Sequence, residues 1–161
     1  MQQRDYLMRM NYLKKSFEHF CSILQNKKNI LNTSVIPIEI QESEMVARFI
    51  FSNKHYNSTN VTFGAFLPRN GVASVMRIDK LNEAEIWRLD KQHVSVNRQS
   101  KARGDLTVKD INNCGIKIEA EPIAYARHAN LSAYASAKSD ERLQAQKLAA
   151  ACQLVLNPIN L

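Results

Sequence analysis

VTFGAFLPRNGVASVMRI, residues 61–78, is the stretch on which the fold turns. Val61, Phe63, Ala65 and Leu67 alternate along its first half, and Val72 to Ile78 form a second extended run. Successive strand side chains point to opposite faces, so alternation predicts half-buried β structure. Pro68-Arg69-Asn70-Gly71 lies between the runs, with Pro presetting φ and Gly tolerating a positive φ, and this predicts a hairpin. Just upstream, Met45, Ala47, Phe49 and Phe51 fall on one face and Val46, Arg48 and Ile50 on the other. Three adjacent strands predict an antiparallel meander.

Helical signals flank this region. Asn82 and Glu85 have the spacing of a capping box, with Leu81 placed to staple onto Ile86, so a helix is predicted to about Lys91. Val94 and Val96 suggest a short strand. Thr107 and Asp110 open a second short helix that Gly115 stops, and Ile116, Ile118 and Ala120 alternate as a strand that ends at Pro122. A last helix is predicted from Ser139 to about Leu156, with Leu143, Leu148, Ala151, Cys152 and Val155 as its apolar stripe. Residues 4–28 read as a long amphipathic helix, with Met10, Leu13, Phe17, Phe20 and Leu24 spaced by three and four. That helix either docks on its own domain or serves as a partner or self-association helix. The fold expected is α+β: a mainly antiparallel sheet (hairpin 61–78 plus flanking strands) packed by helices, with residues 1–33 as the N-terminal helix and 34–161 as one domain.

The charge is uneven. The 161 residues carry a net +7, yet residues 34–97 hold seven cations and seven acids. Residues 1–33 hold six cations against two acids, and residues 98–161 hold nine against six. Arg98, Lys101 and Arg103 fall within six residues without an acid, which predicts a basic loop fit for nucleic acid or an acidic protein. No apolar run is long enough to span a bilayer, and charges interrupt the start of the chain, so neither membrane insertion nor secretion is expected. Cys21, Cys114 and Cys152 are odd in number and far apart, which fits reduced cytoplasmic thiols better than a disulfide framework or a zinc site.

The four glycines, at 64, 71, 104 and 115, build no phosphate-gripping loop, so no nucleotide cofactor is expected; scattered acids give no metal centre either. His55 and His128 remain as catalytic candidates, since an imidazole can serve as either acid or base near neutral pH. Arg48 and Arg77, on otherwise apolar strands, and Arg127, beside His128, are candidates for holding an anion. His55-Tyr56-Asn57 and His128-Ala129-Asn130 distantly resemble the twin motifs of the two-histidine phosphoesterases, with Asn where that family has a hydroxyl residue.

A second resemblance runs from about Arg48 to Val155. Its marks are Phe66-Leu67-Pro68, then Arg77-Ile78 with Leu81 and Ile86-Trp87, then Arg103-Gly104-Asp105-Leu106 and Arg127-His128-Ala129-Asn130. In these the chain is similar to a group of small bacterial proteins to which no activity is attached. The resemblance implies a bacterial setting of the mobile-element or defence kind and carries no residue roles. The leading expectation is a small basic cytoplasmic binding or accessory protein that contacts nucleic acid or an acidic partner. The alternative is a metal-independent enzyme on a phosphate-bearing substrate that uses His55 and His128.

Overall fold

The computed structural model describes residues 36–160. The 4–28 helix, with Met10, Leu13, Phe17, Phe20 and Leu24, lies outside the described residues. The chain from Pro37 onward forms one compact α+β unit. Its strands are β1 (Met45–Ile50), β2 (Ala73–Arg77), β3 (Ala102–Thr107), β4 (Lys117–Ala120), β5 (His128–Ser132) and β6 (Gln153–Leu156). They form one antiparallel sheet in the order β4-β5-β2-β1-β3-β6. Three helices pack on it: α1 (Glu83–Leu89), α2 (Val108–Asn113) and α3 (Lys138–Ala151).

The alternation read in β1 divides two cores. Val46 and Ile50 join Val75, Leu106, Leu131 and Leu148 under α2 and α3. Ala47 and Phe49 join Met76, Ile78 and Ile86 under α1, where Trp87 meets Phe49 edge-on at 5.9 Å. A strand buried on both faces belongs in mid-sheet, which is where β1 lies.

Both predicted caps form. The Asn82 side chain accepts from the Glu85 amide at 3.0 Å while the Glu85 carboxylate accepts from the Asn82 amide at 2.9 Å. Thr107 Oγ1 accepts from the Asp110 amide at 3.1 Å, and Gly115, at φ +74°, ends α2. A wide turn, Asp90–Val94, prolongs α1, with the Ser95 amide donating to the Asp90 carbonyl.

The hairpin over 61–78 is corrected. The Asn70-Gly71 turn is present, with both residues at positive φ and paired amides between Arg69 and Val72. Residues 61–67, however, form a 3₁₀ turn at Phe63–Ala65 that folds Val61, Ala65 and Phe66 into the core. β5 pairs along one edge of β2 and β1 takes the other at Met76 and Arg77, so the expected strand has no place beside that end of β2. Val94 belongs to the turn after α1 and Val96 is exposed, so the strand expected there does not form.

Two further expectations change. The stretch read as a basic loop ends in β3, whose six residues all pair with β1. Gly104 fits closely there: a Cβ would lie 3.1 Å from Cys152 Sγ and 3.2 Å from Val61 Cγ2, so those side chains would have to shift. The last helix stops at Ala151, and Gln153–Leu156 extend along β3 to satisfy its outer edge. Leu143 is accordingly exposed, and Ala145, Leu148 and Ala149 form the buried stripe of α3.

Candidate functional site

The sheet comes apart in its centre. β1 and β2 are in register only at Val46↔Arg77 and Ala47↔Met76. Beyond that point β1 stays with β3 up to Ile50, and β2 stays with β5 back to Ala73. The diverging ends leave a cleft of about 500 Å³ whose wall includes both strands.

Arg48 bridges this gap. Its Nη1 donates to the Ser74 carbonyl at 2.7 Å, replacing a ladder bond the split has removed, and its Nε donates to the Ala65 carbonyl at 2.9 Å. Among the described residues no carboxylate pairs with it. Burial pushes the guanidinium below its ordinary value; Tyr134 acts against that, while Arg69 and Arg98 add repulsion. It is therefore a cation solvated by neutral carbonyls, a state that an incoming anion would relieve.

The cleft gathers Arg48, Arg69 and Arg98 with His55, His93 and His128, and among the described residues no carboxylate lines it. Arg69 stands on the rigid Asn70-Gly71 turn. His55 ends a 3₁₀ turn, Asn53–His55, which Ser52 caps, and its ring lies on Gly64, where a Cβ would come within 3.2 Å of Cδ2. Burial, then Arg48 and Arg69, lower the His55 pKa, so the ring is neutral at pH 7. Nδ1 of His128 lies 3.0 Å from both the carbonyl oxygen and Oε2 of Glu121. Two acceptors at Nδ1 fix the ring and leave Nε2 as its free nitrogen.

Aromatic groups complete the wall. His93 stacks on Tyr125 at 5.1 Å and 8°, and Tyr125 leans on His128 at 5.3 Å. Burial, then Asp90, push the Tyr125 phenol well above its ordinary value, so it stays a neutral hydroxyl. The Arg98 guanidinium lies 3.5 Å from the centre of the Phe51 ring. Its loop is stapled at both ends by buried Asp90, which accepts from Ser95 Oγ at 3.0 Å and from Ser100 Oγ at 2.9 Å.

The other residues singled out from the sequence lie elsewhere. Arg77 is buried against Glu44, with hydrogen bonds of 2.9 and 2.8 Å, and also donates to the Pro37 carbonyl. Arg127 donates to the carbonyls of Arg77 and Asp79. Neither lines the cleft that Arg48 faces. Of the basic triplet, Arg98 enters the cleft, Lys101 is half-buried before β3, and Arg103 is 1% exposed between Asp105 and Glu83. Its bonds to those two carboxylates turn the Arg103 guanidinium inward, away from solvent.

Arg69, His93, Tyr125 and Glu121 were not anticipated. Arg69 was visible only as a turn residue, and His93 only as a helix exit. Glu121 has the one local signal, a carboxylate just before Pro122 that could reach back from the strand end to His128. Among the described residues no group of three or more His, Cys, Asp or Glu is placed to hold a metal ion. Nor is any helix among them long and apolar enough to cross a membrane.

Comparison of the chain with protein-family models, with curated proteins and with solved structures finds no match in any of the three. The chemistry of the cleft rests on its own groups.

Proposed function

We propose that this protein binds a phosphate-bearing ligand in the cleft between β1 and β2. The observation that carries this reading is a wall of three arginines and three histidines without a carboxylate. Arg48 is half-buried and repelled by Arg69 and Arg98, an unfavourable gathering of like charge. A dianion offsets that repulsion and supplies charged acceptors, where Arg48 now has only the neutral carbonyls of Ala65 and Ser74. This reading departs from the expectation of a basic loop for nucleic acid or an acidic protein and keeps only Arg98 of that triplet, in a partly open cleft. Isothermal titration with pyrophosphate tests it. Arg69 and Arg98 are exposed and can be removed without touching the core. Each alanine variant is expected to lose about five- to tenfold in affinity, in line with about 1–1.4 kcal/mol for one charge-assisted contact near the surface. An unchanged affinity in the double variant would sink the proposal.

A second reading is favoured by the Glu121 contact with His128 Nδ1. In it the cleft hydrolyses a phosphate ester without a metal. Neutral His55 takes a proton from water as the water oxygen bonds to phosphorus. His128, held by Glu121 at Nδ1, gives a proton from Nε2 to the leaving oxygen as the P–O ester bond breaks. His55→Ala and His128→Ala should each abolish hydrolysis of bis(p-nitrophenyl) phosphate in the presence of a chelator while leaving pyrophosphate binding within about tenfold. Turnover that survives both substitutions would exclude this reading and leave binding intact.

A further inference from the structure

We infer that the ligand is a nucleotide, with its phosphate at the Arg48 end of the cleft and its base stacked on the aromatic end. This rests on the phosphate reading above and adds the identity of what the phosphate carries.

The cleft is divided in its chemistry. One group consists of Arg48, Arg69 and His55, close enough that both arginines act on the His55 charge. The other is a set of flat groups: the His93–Tyr125 stack and the Arg98 guanidinium over Phe51. An inorganic or sugar phosphate would use the arginine donors, Arg98 included, and leave the aromatic faces of His93 and Tyr125 without a purpose. Planar π surfaces and a guanidinium plane are what a nucleobase stacks on, and such stacking tolerates any base.

Two details set these groups apart from ordinary surface aromatics. Asp90, 3% exposed, spends both carboxylate oxygens on the two ends of the short loop that carries Arg98. A solvated surface arginine needs no such anchor, whereas a stacking plane must be held at a fixed height. Second, the half-buried Tyr125 hydroxyl makes no hydrogen bond to the described residues and stays protonated. It lines the cleft as a free donor and acceptor for the edge of a base or for a ribose hydroxyl. The volume of about 500 Å³ is in the range of sites for ligands of mononucleotide size.

The test is titration of the full chain with the four ribonucleoside 5′-monophosphates, with ribose 5-phosphate and with pyrophosphate. At least one nucleotide is expected to bind about tenfold or more tighter than ribose 5-phosphate, as base–aromatic stacking provides. Tyr125→Leu and, separately, Arg98→Ala should reduce that advantage to threefold or less. Tyr125→Leu should keep ribose 5-phosphate affinity within about twofold, and the exposed Arg98 position covers the case in which Tyr125→Leu fails to fold. Ribose 5-phosphate binding as tightly as every nucleotide overturns the inference and leaves the phosphate reading standing. No binding of pyrophosphate or of any phosphate ester overturns both.

Discussion

Replacing Arg103 by methionine separates what this buried guanidinium does for the fold from what a surface cation would do. The side chain is 1% exposed and holds two carboxylates of different kinds. Asp105, 9% exposed, receives Nε at 2.9 Å and Nη2 at 3.0 Å; Glu83, 65% exposed, receives Nη1 at 2.9 Å. The guanidinium also lies 5.0 Å over the Trp87 ring, so it links β3 to α1. Methionine keeps an apolar stem but strands the Asp105 charge, and an orphaned buried charge costs about 3–5 kcal/mol. Glu83 reaches water when its partner goes, so Glu83→Gln should cost less than about 1 kcal/mol. The double variant Arg103→Met, Asp105→Leu removes both buried charges and should return to within about 1 kcal/mol of the parent. Burial already holds the Asp105 pKa above its ordinary value, with Arg103 opposing it. Without Arg103 the carboxyl rises further. A raised folded-state pKa gives stability at low pH that is lost as pH increases, so the deficit of Arg103→Met should be largest at pH 7 and shrink towards pH 4. Urea unfolding followed by circular dichroism at both pH values measures all of this. A Glu83→Gln loss equal to that of Arg103→Met, or a double variant no more stable than Arg103→Met, would refute the reasoning.

The remaining expectations concern the cleft and one cap. His55 is held below its ordinary value and an occupying anion raises it, so binding takes up a proton and affinity for sulfate should grow as pH falls from 7.5 to 5.5. His55→Gln should remove part of that slope; an unaltered slope in the variant would show that His55 does not sense the anion. Gly64→Val places a branched side chain against the His55 ring and should weaken pyrophosphate binding at least threefold with the fold kept, read by titration and circular dichroism. Asn82→Ala removes the acceptor for the Glu85 amide and should cost about 1 kcal/mol of stability in urea unfolding, with ligand affinity unaltered.

What was legible in the sequence was local. Asn82 and Glu85, Thr107 and Asp110, Asn70-Gly71 and Gly115 each satisfy a backbone need within a few residues, and each appears where its spacing puts it. β1 and β4 were readable from alternation. β3 was hidden because one of its faces is Arg103 and Asp105, which are polar in sequence and neutral only as a pair. β6 was hidden because Gln153–Leu156 prolong a helical pattern, and only the open edge of β3 makes them extend. Of the cleft, Arg48, His55 and His128 were readable as candidate residues, but not the opening that brings them together. It arises where β1 and β2, with residues 51–72 between them, pair at only two positions, and its arginines come from a strand, a turn and a loop. Arg48 was noticed as an odd cation on an apolar strand, but its carbonyl partners at Ala65 and Ser74 belong to other segments.

The split also leaves the two halves of the sheet joined by few backbone bonds, with both cores packed across the seam. Three strands, β4-β5-β2, form one half, and three, β1-β3-β6, form the other. Across the seam they share the Val46↔Arg77 and Ala47↔Met76 pairs, an amide from Ile78 to Met45, and one guanidinium. Most proteins bind ligands on a sheet's rim or face, where the ladder stays closed. Here a guest in the cleft would lie against the unpaired ends of β1 and β2. Hydrogen exchange at the amides of Arg48–Ile50 and Ala73–Val75 would then report occupancy as directly as calorimetry does.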